Sequence, residues 1–213
     1  MYDNDFYDED YYQHGIETAK SNYQNYRWIP EMTIPLAMTM IDLLNIKSTH
    51  KILDFGCALG FLVKAFRLLH REAWGIDTSM YAIKNADPAV KEYCRHPSHE
   101  LNGMPLNYDF CIAKDVFEHM SPDEVKSKVN NVLRPAAKTL FVIVPLGKNG
   151  RYIAPANNLD KSHIICEDME WWERLFASTN QQVVQKCYKV KGIKDAYYER
   201  YPKSHGFFIL RRS

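Results

Sequence analysis

The stretch Lys51-Ile52-Leu53-Asp54-Phe55-Gly56-Cys57-Ala58-Leu59-Gly60 decides how the chain folds. Its first half suits a buried strand that ends in an acid, and its second half is a turn with two glycines four residues apart. A helix through Val63, Phe66 and Leu69 follows, apolar at three-residue steps. Ala73-Trp74-Gly75-Ile76-Asp77 then reads as a second short strand closed by an acid, and Ser79 caps a helix through Tyr81 and Ile83. Alternating strand and helix predicts an α/β protein, a parallel sheet with helices on both faces.

Working outward, Pro30 to Ile46 is helical, with Ile34, Ala37, Met38, Ile41 and Leu44 forming one apolar stripe. Downstream, Pro88, Pro97 and Pro105 interrupt the chain and confine a third strand to the region of Val90–Arg95. Asp109-Phe110-Cys111-Ile112-Ala113 is a fourth strand. Ser121-Pro122-Asp123-Glu124 carries the cap, the first-turn proline and the capping-box acid of a helix start. That helix runs through Val125, Val129 and Val132 to Arg134 and stops at Pro135. Thr139–Val144 is apolar throughout and therefore central in the sheet. A Gly147–Gly150 loop, a helix over Met169–Phe176, and strands at Val183–Lys191 and Gly206–Arg211 complete the chain, with Asp195–Ser204 too long for a tight hairpin. No internal repeat or linker divides it, so residues 29–213 read as one domain.

The composition excludes several classes. With 213 residues, 27 Lys and Arg against 26 Asp and Glu leave a net charge of +1, which gives no global attraction to nucleic acid or an anionic membrane. No apolar run approaches the roughly 18–20 residues that cross a bilayer. The first twenty residues are acidic and tyrosine-rich, opposite to a secretory leader. Five scattered cysteines without a CxxC pair fit a reducing cytoplasm, and no metal is expected, since no His, Cys or carboxylate group has recognisable ligand spacing.

The glycine turn lies at the carboxyl end of its strand, where open parallel sheets bind ligands. Asp77, 23 residues after Asp54, is placed to accept hydrogen bonds from both hydroxyls of a ribose. A dinucleotide fingerprint would be GxGxxG, aimed at a diphosphate. Here an acid precedes the first glycine by two, which suits a cation better. S-adenosylmethionine, with a sulfonium, an ammonium and no phosphate, matches that chemistry.

On these residues the chain resembles the class I S-adenosylmethionine-dependent methyltransferases of the small-molecule group. Their DxGxGxG motif is matched by Asp54, Gly56 and Gly60, with Ala58 replacing the middle glycine. The resemblance implies a Rossmann-like seven-stranded, mostly parallel sheet of order 3-2-1-4-5-7-6 with the last strand antiparallel. It implies cofactor contacts from Asp54, Phe55, Gly56, Cys57 and Gly60, and from Asp77 and Thr78. Tyr108 to His119 is similar to the family's fourth strand and following loop, which would set Lys114, Asp115 and Val116 near the methionine end. No adenine-contacting residue is identifiable. The expected cofactor is S-adenosyl-L-methionine, leaving as S-adenosyl-L-homocysteine.

Methyl transfer to oxygen gains from a general base, and histidine is the default. His163, in Asp160-Lys161-Ser162-His163, and His119 are the two candidates, with Asp160 able to orient His163 or to begin a turn. Residues 1–28 form an acidic, tyrosine-rich arm or lid. Up to Gly15 its composition is equally that of a disordered tail, whereas Tyr23, Tyr26 and Trp28 are too apolar to remain in water. Arg27 could meet the cofactor carboxylate, and Tyr23 and Tyr26 the acceptor. Lys186, Lys189, Lys191, Lys194 and Lys203 make a basic last quarter, a solvated face or a seat for a phosphorylated acceptor.

The expected function is O-methylation of a small molecule, a sugar, nucleotide-sugar or related metabolite, with no nucleic acid or membrane partner. Two alternatives stay open on sequence: an NAD(P)-dependent oxidoreductase on a related sheet, and a non-catalytic cofactor-binding scaffold.

Overall fold

A computed structural model describes residues 4–98 and 103–212; residues 1–3, 99–102 and 213 lie outside it, including the start of the acidic arm and part of the stretch after the third strand. Among the described residues the strands are β1 (Lys51–Phe55), β2 (Glu72–Ile76), β3 (Cys94–Arg95), β4 (Tyr108–Lys114), β5 (Ala137–Pro145), β6 (Gly147–Lys148), β7 (Arg151–Tyr152), β8 (Gln181–Cys187) and β9 (His205–Arg212). The helices are α1 (Glu9–Gln13), α2 (Pro30–Leu44), α3 (Phe61–Leu68), α4 (Met80–Lys84), α5 (Pro122–Lys128), α6 (Arg134–Ala136), α7 (Met169–Ala177) and α8 (Asp195–Arg200).

The main sheet runs β3-β2-β1-β4-β5-β9-β8. Its first five strands are mutually parallel, and β9 is antiparallel to both β5 and β8. Without the small β6–β7 hairpin this is the 3-2-1-4-5-7-6 order read from the sequence. The hairpin stands where a glycine loop was expected, and Asn149 and Gly150 turn it with positive φ.

Alternation along β5 divides the interior in two. Phe141 and Ile143 point to the face where Met40, Phe66 and Ile52 pack, whereas Leu140, Val142 and Val144 meet Phe117, Trp172 and Phe176 on the other. Ser79 and Ser121 cap α4 and α5 as their spacing predicts, the second with a complete capping box.

Local departures from the sequence reading have physical reasons. The α2 stripe is turned so that Met40 is fully buried and Met38 is 50% exposed; the helix ends when Asn45 goes left-handed. After α5 a π turn over Val129–Leu133 adds a residue to the helical repeat, which carries Val132 outward. β8 stops at Cys187, short of Lys191, where the chain narrows to a single Val190–Ile193 bridge around a left-handed Gly192. Order in the arm begins well before Gly15. Asp8 caps α1 by accepting from the Tyr11 N–H, and Tyr11 and Tyr12 are each 4% exposed. No helix among the described residues is long and apolar enough to cross a membrane.

Candidate active site

The bend after β1 folds across the tip of β2. Gly56 and Cys57 donate to the Ile76 carbonyl at 2.8 and 3.1 Å, and Gly60 donates to the Cys57 carbonyl. Gly56, Ala58 and Gly60 all have left-handed backbones, with φ of 81°, 47° and 79°. A Cβ at Gly56 would run into the Val116 side chain, and one at Gly60 would lie 2.9 Å from Cys94 Sγ. Both glycines are therefore required by close approach as well as by φ. Ala58 takes the same conformation with a methyl in place, at a cost of about 1 kcal/mol.

Asp77 receives the bend. Its Oδ2 accepts from the Ala58 N–H and its Oδ1 from the Ser79 N–H, each at 2.8 Å. Each oxygen keeps a lone pair, which is the capacity a ribose diol uses. Burial raises the Asp77 carboxyl, and the two backbone bonds oppose that shift. Beside it Asp54, 4% exposed, accepts no hydrogen bond among the described residues. Burial pushes its pKa up to about 7, against the pull of the Lys114 ammonium. A buried carboxylate so little compensated fits a cationic ligand. Phe55 is buried beneath it, and the Thr78 carbonyl lies 3.0 Å from His96 Nε2.

After β4 the chain turns on Asp115, whose φ is 55° and whose N–H donates to the Ile143 carbonyl. Asp115 Oδ2 holds two ammonium groups, Lys114 at 2.6 Å and Lys194 at 2.8 Å. Burial works against its charge, but those two cations keep the carboxyl well below the ordinary range. Val116 packs on Gly56.

The arm lies over the bend. Tyr11, Tyr12, Tyr23, Tyr26 and Tyr81 pack with Leu59, Ala58 and Ala82, and Tyr12 stacks on Tyr81 at 5.9 Å between centroids. The Ser79 hydroxyl donates to the Tyr7 carbonyl. Burial pushes Tyr26 up to about 12 against the opposing charge of Lys114, while Asp54 and Asp77 add to the rise. Tyr26 thus lies within electrostatic reach of Asp54 and Asp77, and Tyr23 packs edge-on against Tyr26 with ring centroids 4.8 Å apart. Arg27 is exposed and makes no ion pair among the described residues.

A second group forms where the β4 loop meets the chain after β7. The Glu118 carbonyl accepts from both Ile164 and Ile165, drawing His163 against His119 with ring centroids 4.6 Å apart. Asp160 organises the rest. Its Oδ2 accepts from Tyr11 Oη at 2.7 Å, and its Oδ1 from the Ser162 N–H and hydroxyl. Ser162 Oγ in turn lies 2.8 Å from His119 Nδ1. His163 Nδ1 lies 2.9 Å from the Asn157 carbonyl. Burial, helped by His163, lowers His119 to about 4, and burial also lowers His163. Both rings are neutral near pH 7.

Glu118 is fully buried and neither carboxylate oxygen has a hydrogen-bond partner. The sequence reading includes this residue only within the stretch from Tyr108 to His119 and gives its side chain no role. It also passes over Tyr7, Tyr11 and Ser162. The signal available in the sequence is that Glu118 directly precedes His119 and Ser162 directly precedes His163, each beside a candidate histidine.

Comparison with known proteins places this arrangement. Residues 53–141 match a family model described as a methyltransferase domain. Among solved structures, magnesium protoporphyrin IX methyltransferase from Synechocystis PCC 6803, solved with bound SAM, is 12% identical with a TM-score of 0.56, covering 86% of this chain and 79% of that one. YcgJ from Bacillus subtilis is 15% identical with a TM-score of 0.56, covering 86% and 99%. A chain in a Haloferax volcanii complex with the Trm112 methyltransferase activator gives 11% identity and a TM-score of 0.62, covering 86% and 91%. No curated protein matches the sequence. The sheet order is of the kind expected for this fold, and the glycine bend with its two acids lies within the matched residues. Residues 53–141 thus match a methyltransferase domain, on a fold shared with a structure solved with bound SAM.

Proposed function

We propose that the chain moves the methyl group of S-adenosylmethionine to a hydroxyl oxygen of a small cytoplasmic molecule, a sugar, nucleotide-sugar or related metabolite. The observation that carries this reading is the pair of neutral imidazoles, His119 and His163, beside the tips of β4 and β5. A sulfonium is already an activated methyl donor, so alignment supplies much of the rate. A neutral hydroxyl still has to be made nucleophilic, and a lone pair on a buried imidazole is the group for that.

In this reading the bend from Asp54 through Gly60 seats the cofactor, Asp77 and Thr78 meet the ribose, and Lys114, Asp115 and Val116 border the methionine end. The arm is a lid that lifts to admit the cofactor and closes to exclude water. On closing over cofactor, Arg27 swings to its carboxylate, and Tyr23, Tyr26 and Asp160 line the acceptor side. Of the basic residues in the last quarter, Lys194 is held by Asp115 and Lys186 by Glu173, so Lys189, Lys191 and Lys203 on the exposed side are the supporting features for a phosphorylated acceptor.

One of the similar structures is named as a [4+2]-cyclase, so the fold also occurs in a protein named for other chemistry. The test is therefore direct: incubation with methyl-labelled S-adenosylmethionine and a panel of hydroxyl acceptors, with His163→Ala alongside. Label transfer that is lost in the variant, with S-adenosylhomocysteine affinity kept, supports the reading. Full turnover by His163→Ala would remove that residue from the chemistry, and no transfer to any acceptor would favour a binding scaffold.

A further inference from the structure

We propose that Glu118, His119 and His163 bind one divalent cation of the zinc, cobalt and manganese kind, and that its open position takes the acceptor hydroxyl. This deepens the function proposed above, since the two Nε2 lone pairs would activate the acceptor hydroxyl through the ion instead of removing its proton directly. It rests on that reading only in bringing the acceptor hydroxyl to these side chains.

One donor atom from each of the three residues lies within 4.8 Å of the others. Donors on a tetrahedral ion are about 3.4 Å apart, so modest rotation of the side chains closes the site. The linear spacing hides the group because His163 comes from a distant loop, pinned by the two bonds to the Glu118 carbonyl.

The hydrogen-bond pattern sets both tautomers. A carbonyl can only accept, so His163 Nδ1 must carry its proton toward Asn157. The Ser162 hydroxyl spends its one proton on Asp160, so it can only accept from His119 Nδ1. Each neutral ring therefore presents Nε2 as a bare lone pair. His163 Nε2 faces Glu118 Oε1 at 3.9 Å and Asp160 Oδ2 at 3.8 Å, beyond hydrogen-bond distance. Both Glu118 oxygens are buried without a donor. Lone pairs of two rings and a buried carboxyl group that converge with no neighbouring donor to satisfy them are a metal ligand set. A ring Nδ1–H held by a carbonyl or an acid-linked hydroxyl is the usual outer support of a ligating histidine.

The two ammonium groups nearby do not compete for the site, since Lys114 and Lys194 are both taken by Asp115. Two imidazoles and one carboxylate suit borderline ions rather than magnesium or calcium, which prefer oxygen. Three protein ligands leave a position free. A hydroxyl bound there becomes acidic. Its proton passes to water, its oxygen lone pair forms the new O–CH3 bond, and the C–S electron pair returns to sulfur as S-adenosylhomocysteine leaves.

The test is titration of the metal-stripped full-length protein with Co²⁺ and with Mn²⁺. Expected are one ion per chain, visible cobalt bands without sulfur charge transfer, and at least tenfold weaker binding in Glu118→Gln and His163→Gln. Metal-free melting temperatures of the variants check that they fold. Should either fail to fold, nitrogen-15 shifts of His119 and His163 Nε2 in the wild type on adding Zn²⁺ report the same contact. No bound ion, unaltered Nε2 resonances, equal affinity in the variants, or cobalt held by thiolates would each overturn the site. Full methyl transfer in excess chelator would overturn the role given to the ion. Metal binding without any methyl transfer would instead count against the proposed acceptor chemistry.

Discussion

Ala58 donates its backbone N–H to the Asp77 carboxylate over 2.8 Å from a left-handed conformation. The bond joins the middle of the glycine bend to the acid at the tip of the neighbouring strand. It requires a φ that alanine adopts only under strain, which is why a glycine is the expected residue at this position.

Replacing the residue should therefore help. Ala58→Gly is expected to stabilise the protein by about 0.5–1 kcal/mol, the relieved backbone strain less the added freedom of the unfolded chain. Affinity for S-adenosylhomocysteine should hold or improve. Urea denaturation with calorimetry checks both, and a less stable glycine variant would contradict the strain.

Asp54 makes the free protein sensitive to pH. Because burial raises its folded pKa to about 7, its contribution to stability is full below the ordinary carboxylate range and is lost as pH rises through about 7. The amount is on the order of 4 kcal/mol. Asp54→Asn should remove that slope from a series of melting temperatures. A cationic cofactor beside the ionised form should be bound with proton release near pH 6–7. Calorimetry in buffers of different ionisation enthalpy measures the release, and zero release would separate Asp54 from the cofactor.

The arm predicts a kinetic effect. Tyr12 is nearly buried against Tyr81 and the bend, so Tyr12→Ala should weaken arm docking by roughly 3 kcal/mol. Stopped-flow association of S-adenosylhomocysteine should then accelerate at least tenfold, with dissociation faster as well. Rates equal to those of the wild type would mean that the arm never has to lift.

Ser162 is fully buried between Asp160 and His119. Ser162→Ala should cost about 1–3 kcal/mol, since it leaves a buried carboxylate and an imidazole N–H short of a partner. It should also mix the His119 tautomers, which long-range nitrogen-15 spectra resolve. A single unchanged tautomer would show that the serine does not set it.

Much of the fold is legible because its signals are local. Asp54, Gly56, Gly60 and Asp77 are spaced by the geometry of one strand–helix–strand unit, and Ser121 with Glu124 writes its own helix start. What stays hidden depends on long-range packing. The burial of Tyr11 and Tyr12 cannot be read from an acidic segment, because the surface that receives them, Leu59 and Ala82, lies far along the chain. Glu118 is hidden for the same reason. Beside His119 it resembles a polar loop residue, and only the return of residues 160–165 seals it from water. The phase error at Val132 arises where a π turn alters a regular repeat, whereas Met38 lies mid-helix at the edge of the α2 stripe, with Ala37 and Met40 facing the core instead.

The double grip of the Glu118 carbonyl on Ile164 and Ile165 makes the two loops one mechanical unit. The hairpin tip at Asn149 and Gly150, by contrast, is exposed. Chain length can therefore vary at that tip among descendants of this scaffold without loosening the ring pair, so new acceptor preferences could be grafted there while the chemistry stays in place.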